Sequence, residues 1–169
     1  MTLPATATAT QALDALAFRD ALGRFATGVA FVTAAPEGEP AGLIVNSFAS
    51  VSLEPPLVSF SPSRTSLTWS RMRRTGRFGV NVLGRRHEPF VKRATPIGAD
   101  RFAGLDWEPG RTGVPLISDA LATLECEIAA EHGAGDHWIV VGRVCDLRVS
   151  LDDDPLVFFG GAFSALRRR

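Results

Sequence analysis

Side chains that carry out covalent or acid–base chemistry are sparse in this 169-residue chain. It has no G-x-S-x-G elbow, no H-E-x-x-H, no phosphate-binding P-loop and no G-x-G-x-x-G following a strand. Its three histidines, His87, His132 and His137, are dispersed, and none has a second ligand at metal-binding spacing. This pattern argues against a hydrolase or a metalloenzyme. A chain so poor in catalytic side chains is what is expected when a bound cofactor carries the reaction and the protein positions it.

Three segments stand out as places where a ligand could be held. In the first, Gly42 to Val58, small hydroxyl and amide residues interrupt an otherwise apolar extended run. It reads either as an ordinary Ser-rich edge strand or as a strand whose backbone N–H and C=O groups bond the edge of a flat heterocycle, with Asn46 and Ser47 adding side-chain contacts. The second is Ser61-Pro62-Ser63-Arg64-Thr65-Ser66-Leu67-Thr68-Trp69 at the start of a helix. Hydroxyls and Arg64 there suit either a phosphate or a helix cap. The third, Gly135-Asp136-His137, has the composition of a hairpin turn, and a histidine at that position is either solvated or in reach of a nucleotide at a barrel rim.

The elements that must position these groups are mostly strands. Asp14 is a plausible N-cap for a helix carrying Phe18, Leu22 and Phe25 at helical spacing up to Gly28. Val29 to Thr33 is β-branched and aromatic, Pro36 to Pro40 is turn-like, and Leu43 to Val51 is extended. Pro55-Pro56 then restarts the chain as a strand, Leu57 to Ser61. A short helix over Ser66 to Arg74 stops at Gly76, and Phe78, Val80 and Val82 mark the next strand. Arg85 to Ala94 reads as a surface helix, followed by a long Pro- and Gly-rich excursion. Ala122, Leu124, Cys126 and Ile128 alternate with polar residues, and the Gly133 to Asp136 turn links them to Trp138 to Val149 as a long hairpin. A last strand, Leu156 to Phe159, breaks at Gly160-Gly161. Many strands, few helices and frequent turns predict a mainly β, closed barrel rather than a doubly wound α/β sheet.

Composition sets the remaining bounds. A hydrophobic content of 46% in 169 residues suits a single core, so residues 14–169 are expected to form one domain after a low-complexity, loosely ordered segment 1–13. Eighteen basic and 18 acidic residues cancel, leaving no general field for nucleic acid or an anionic membrane. The run Arg167-Arg168-Arg169 reads as a solvated end. No stretch has the length and apolarity of a membrane span and the first residues lack a signal-peptide pattern, which predicts a cytoplasmic protein. Cys126 and Cys145 fall on adjacent strands; buried reduced thiols are expected rather than a bridge.

Taken in order, Phe25-Ala26-Thr27-Gly28-Val29, Asn46-Ser47-Phe48 through Pro55-Pro56-Leu57-Val58, Val80-Asn81-Val82-Leu83, Asp100-Arg101-Phe102, Leu124-Glu125-Cys126 and Gly135-Asp136-His137 resemble the short-chain flavin reductase family, the reductase components of two-component flavin-dependent monooxygenases. The resemblance runs from about Phe18 to Leu166. It implies a Greek-key-type split β-barrel, a homodimer with flavin near the subunit interface, and hydride transfer from NADH or NADPH to FMN or FAD for a separate oxygenase. By position, Val45, Asn46 and Ser47 would face the flavin ring, Ser61, Ser66 and Thr68 the ribityl-phosphate end, and His137 the nicotinamide nucleotide. No side chain is expected to act as a catalytic acid or base. One departure is the closing stretch Phe159-Gly160-Gly161-Ala162-Phe163, where Ala162 stands in place of the family's usual arginine. Other activities on the same barrel, pyridoxamine-phosphate oxidase-like or ferric reductase, and a non-catalytic flavin-binding module are the competing readings.

Overall fold

The computed structural model describes residues 14–96, 98–150, 153–164 and 166. The low-complexity start and the terminal arginines lie outside the described residues. Helix α1, Ala15–Leu22, begins where expected, with the Asp14 side chain accepting from the Leu16 N–H at 3.1 Å. It ends earlier than its apolar spacing suggested. Gly23 caps it by donating to the Arg19 carbonyl at 2.8 Å, and Thr27–Gly28 instead form a strand, β1, required as a partner by a strand near the C-terminus.

Strands β2 (Ala30–Ala34), β3 (Ala41–Val45), β4 (Ala49–Leu53) and β5 (Pro56–Phe60) follow. Helix α2 (Leu67–Met72) leads through one 3₁₀ turn to Gly76, whose φ of 68° ends it in the left-handed region, and β6 (Arg77–Val82) runs on from there. Helix α3, Glu88–Ala94, is preceded by a 3₁₀ turn at Arg85–His87. The irregular excursion contains a small hairpin, β7 (Trp107–Pro109) and β8 (Pro115–Ile117). The long hairpin is β9 (Ala122–Ala134) and β10 (His137–Val149), joined by Gly135-Asp136. Gly135, at φ 59°, occupies the first turn position, where a type II′ turn needs glycine. Strand β11 (Val157–Phe159) does not end the fold, because Gly160 and Gly161, both at positive φ, turn the chain back into β12 (Ala162–Ser164).

Seven strands form one antiparallel sheet in the order β3-β2-β6-β9-β10-β5-β4, with the β9–β10 hairpin inserted between β5 and β6 as in a Greek-key connection. The two edges of this sheet, β3 and β4, are consecutive in the chain and joined only by residues 46–48. Laid flat, edges six spacings apart would be separated by roughly 29 Å. The link from Val45 to Ala49 reaches at most about 14 Å. The sheet therefore has to curl until its edges nearly meet, and the seam lies at Asn46-Ser47-Phe48. The single extended run expected over Leu43 to Val51 is in fact two strands on opposite sides of that seam.

Curling gives the sheet an inside and an outside, which β2 makes visible. Ala30, Val32 and Ala34 enter a core with Phe60, Trp69, Met72, Phe78 and Val140, whereas Val29 and Phe31 join a second cluster with Leu83, Phe90, Val91 and Leu156. The period of two along β2 thus serves two cores, and every one of its residues is buried. Close approaches demand glycine at several points, among them Gly42, where a Cβ would overlap the Phe31 ring, and Gly142, where it would overlap the Phe78 ring. Between the layers, buried Asn81 donates to the Phe31 carbonyl at 3.0 Å and accepts from the Ile117 N–H at 2.7 Å, tying β2, β6 and β8 together. Buried Glu125 accepts from the Arg111 and Thr112 N–H groups at 2.8 and 2.6 Å, which fixes the β7–β8 loop.

Both cysteines are free, but only one behaves as a small hydrophobe. Cys126 is in the inner core, where burial pushes its thiol up to about 12. Cys145 lies at a bulge between Val144 and Asp146 and is exposed, so the expectation that it is buried does not hold. The bulge supplies the reason, since an extra residue there takes Cys145 out of register with Cys126.

Candidate flavin site

Beside the seam is a cavity of about 530 Å³, within the roughly 300–1,000 Å³ typical of small-molecule clefts. One wall is the edge strand β3 with Leu43, Ile44, Val45 and then Asn46; the opposite wall is α3 with Val91, Lys92 and Ala94, followed by Thr95. Phe158 and Phe163, paired across β11 and β12 with ring centroids 5.7 Å apart, help to enclose it. As an edge, β3 carries backbone donors and acceptors outside the sheet ladder. An apolar slot flanked by such a strand suits a flat ring system with hydrogen-bonding atoms along one side.

Arg101 closes this cavity and connects it to the second ligand-binding segment. Its Nε donates to the Ala94 carbonyl at 3.2 Å, and its Nη1 reaches the Gly42 carbonyl at 3.2 Å and Thr68 Oγ1 at 3.3 Å. One guanidinium therefore spans α3, β3 and α2. It is held in turn by the Asp100 carboxylate accepting the Phe102 N–H at 2.9 Å, and by Phe102 packing on Phe31 with ring centroids 5.2 Å apart.

The seven residues singled out from sequence are distributed along a path rather than gathered in one pocket. Val45 and Asn46 line the cavity. Ser47 Oγ accepts the Ser61 N–H at 3.0 Å, so the seam is fastened to the loop before α2. Ser66 caps that helix by accepting the Trp69 N–H at 3.1 Å; its oxygen is used as a cap, and its hydroxyl proton remains a donor. Thr68 faces Arg101. His137 lies farther along, where the loop and the hairpin turn are stitched together: Trp138 N–H donates to the Pro62 carbonyl at 2.9 Å, Arg64 N–H to the Asp136 carbonyl at 2.9 Å, and Ser63 and His137 form a bridge pair.

At this rim the chemistry is polar and charged. His137 Nδ1 is 2.7 Å from Asp136 Oδ1, and that hydrogen bond, reinforced by charge, holds the Asp136 carboxyl below the usual carboxylate range. With Nδ1 directed at Asp136, Nε2 is the ring nitrogen left to face a ligand. The guanidiniums of Arg64 and Arg73 stack on the Trp138 ring at 5.0 and 4.9 Å. Glu131 accepts from Arg73 and, at 3.0 Å, from the Trp69 indole N–H.

Several cavity residues were not singled out from sequence. Arg101 stood in a motif but in a stretch that read as irregular loop. Lys92 was one of several basic residues on a surface helix. Phe163 belongs to a strand that the double glycine seemed to forbid. A further residue with a signal of its own is Thr27, whose hydroxyl is the single buried side-chain oxygen or nitrogen without a hydrogen-bond partner among the described residues. Thr27 pairs in register with Phe158 of the cavity wall. An open, largely apolar slot, an unpaired strand edge, two cations and an orphaned hydroxyl next to the wall fit a flavin.

Comparison with known proteins agrees with this geometry. The model of the flavin reductase like domain matches residues 22–167. The FMN reductase (NADH) SmoA of Agrobacterium fabrum is 49% identical over 154 residues, covering 90% of this chain and 86% of that protein. The reductase subunit HsaB of a flavin-dependent monooxygenase from Rhodococcus jostii is 39% identical over 160 residues, covering 95% and 82%. Among solved structures, the NADH:FAD oxidoreductase SgcE6 of Streptomyces globisporus, in complex with NAD and FAD fragments, superposes with a TM-score of 0.86 at 35% identity, covering 91% of this chain and 93% of that one. The mainly β fold with its curled sheet is the split barrel of these flavin reductases. By sequence match along nearly its whole length, this chain belongs to the flavin reductase like domain family.

Proposed function

We propose that the chain is an NAD(P)H:flavin oxidoreductase that supplies reduced flavin to a separate oxygenase. The observation that carries the reading is the slot at the barrel seam, where β3 presents its free edge and Asn46, Lys92, Thr95 and Arg101 border otherwise apolar walls. A flavin held there by the β3 edge, Asn46, Lys92 and Arg101 would supply the redox chemistry, taking up a hydride from a reduced nicotinamide nucleotide.

The protein's own contribution is positioning and electrostatics. The edge of β3 and the cations bordering the slot favour the negative charge that develops on a reduced ring, and the phenylalanines exclude water from one side. Val45, Asn46 and Ser47 orient the ring. Thr68 with Arg101, and the hydroxyls of Ser61 and Ser66, receive the ribityl-phosphate end. His137, on an exposed turn tied by backbone bonds to the 62–64 loop, contacts the nicotinamide nucleotide, which must enter and leave each cycle. No side chain is required to move a proton.

The same reading includes a homodimer located in the cytoplasm. Helix α1 buries none of its residues, and Leu16, Leu22 and Phe25 are 70%, 58% and 75% exposed, a concentration of apolar surface that a second copy would cover. No helix among the described residues is long and apolar enough to cross a membrane.

Steady-state oxidation of NADH and of NADPH, each with FMN, FAD or no added flavin, tests the activity. Turnover that saturates with added flavin is expected. Flavin binding without oxidation of either nucleotide would instead identify a carrier, and turnover that depends on pyridoxamine phosphate or ferric iron would identify another enzyme on this barrel.

A further inference from the structure

Two walls of the slot, α3 and β11, are joined through a buried histidine that the redox chemistry does not use. His87 ends the 3₁₀ turn from which α3 starts, and it is 4% exposed. Its Nε2 lies 3.0 Å from Asp119 Oδ1, on the loop between β8 and β9. Its Nδ1 lies 3.1 Å from the Gly84 nitrogen and 3.2 Å from the Gly84 carbonyl oxygen. Gly84 is also buried, and around it this turn is tied to the other wall. It forms a bridge pair with Pro155, while Arg85 N–H donates to the Asp154 carbonyl at 2.8 Å and Leu156 N–H to the Leu83 carbonyl at 2.9 Å, just ahead of β11 and Phe158.

The two contacts of Nδ1 exclude one another. A bare nitrogen accepts the Gly84 N–H, and a protonated one donates to the Gly84 carbonyl. A neutral ring in the first arrangement carries its proton on Nε2, toward Asp119. A second proton, on Nδ1, strengthens the attraction to Asp119 but leaves the buried Gly84 N–H without an acceptor, and adds a donor to a carbonyl that already accepts the His87 N–H at 3.0 Å. The turn has to shift to relieve this. Imidazole ordinarily changes charge between about pH 5 and 8, so solvent protons select between the two arrangements in that range. The charged groups around the ring are Asp119, the flanking Arg85, Arg86 and Glu88, and Asp153 and Asp154 from the segment before β11. Arg86 joins two of them, with Nη1 3.9 Å from Asp119 Oδ2 and Nε 2.9 Å from Asp153 Oδ2.

We infer that His87 is a pH-operated latch on the slot: its neutral form holds α3 and the segment leading into β11 at the spacing a ligand needs, and its protonation releases Gly84 and loosens that hold. The effect on flavin affinity rests on reading the slot as the flavin site. The coupling between His87 and the two walls does not, since it follows from the bonds at Gly84 alone.

The test is NMR spectroscopy of the full chain from about pH 8 to about pH 5, following the His87 ring nitrogens and the amides of Gly84, Val91 and Phe158, alongside fluorescence titrations with FMN over the same range. In the wild type the three amides should move with the same midpoint as the His87 ring, and by linkage bound FMN should move that midpoint toward lower pH. Acidification should weaken FMN binding about three- to tenfold more in the wild type than in H87N, whose side-chain oxygen can accept the Gly84 N–H and does not titrate. The ratio cancels the titration of the FMN phosphate and of the other two histidines. A His87 ring that stays neutral throughout, or one that titrates without moving the Gly84 amide, would overturn the latch, and these wild-type readings stand even where H87N does not fold. Equal pH dependence of FMN affinity in H87N and the wild type would also overturn it. Failure of FMN to bind at any pH would remove the flavin reading of the slot, and the amide shifts alone would then decide the latch.

Discussion

The seam cavity and the hairpin rim are both parts of one site, yet they are held by different means. At the seam, positions are fixed by side chains that are buried or half-buried: Arg101 bridges α3, β3 and Thr68, and Asn81 locks β2 to β8. At the rim they are fixed by backbone bonds between residues 62–64 and 136–138, while the side chains of Asp136 and His137 are solvent-exposed. A ring that must be gripped in one orientation calls for the first kind of construction. A nucleotide that comes and goes calls for the second, since an exposed turn can bind it without rearranging the core. The comparison implies that changes at the seam affect folding and flavin together, whereas changes at the rim affect nucleotide kinetics alone.

The strongest way to break this contrast is at Asn81. Its replacement by Leu leaves the Ile117 N–H and the Phe31 carbonyl without their side-chain partner in a buried layer, and should cost about 2–4 kcal/mol of stability. Denaturant unfolding measures this, and a loss below about 0.5 kcal/mol would show that the layer is not held as described. Next in size is Arg101→Ala, expected to weaken flavin binding about tenfold or more and to lower the unfolding midpoint, because three acceptors lose one donor. If flavin affinity is unchanged, the slot is not where flavin binds.

His137→Ala should raise the KM for the nicotinamide nucleotide by roughly three- to tenfold with flavin affinity and unfolding midpoint close to wild type. The opposite split, with flavin affinity lost and nucleotide KM preserved, would place His137 at the wrong ligand. The smallest effect belongs to Asp136→Asn. Losing the carboxylate that orients the imidazole should change nucleotide KM by only about two- to threefold, as is usual for an exposed pair.

The sequence made some of this legible and hid the rest for physical reasons. Strands with one apolar face, such as β9, announce themselves by alternation, and the Gly135-Asp136 turn fixes the hairpin by its backbone requirement. Asp14 was recognisable as a cap because capping is local, and so was the capping potential of the hydroxyl cluster at 63–66, although the structure was needed to show that Ser66 is the residue that caps α2. The seam was not legible: Leu43 to Val51 reads as one extended run, and only the pairing of β3 and β4 with distant strands shows that residues 46–48 cross between the two edges. The cavity was hidden for the same reason, since its walls come from segments as far apart as Val29, Lys92 and Phe163. Arg101 sits in an irregular stretch with no periodicity, and what gives it a role is the convergence of Gly42, Thr68 and Ala94 on its guanidinium. Motif resemblance marked that position without saying what it does.

The measurement that tests the central claim most directly is an anaerobic single turnover in which the protein with oxidised flavin is mixed with NADH and the visible flavin absorbance is followed together with that of the nicotinamide. Loss of the flavin absorbance with one NADH oxidised per flavin, slowed in His137→Ala at low nucleotide concentration, is the result predicted. Flavin that binds but stays oxidised in the presence of both NADH and NADPH would contradict the account.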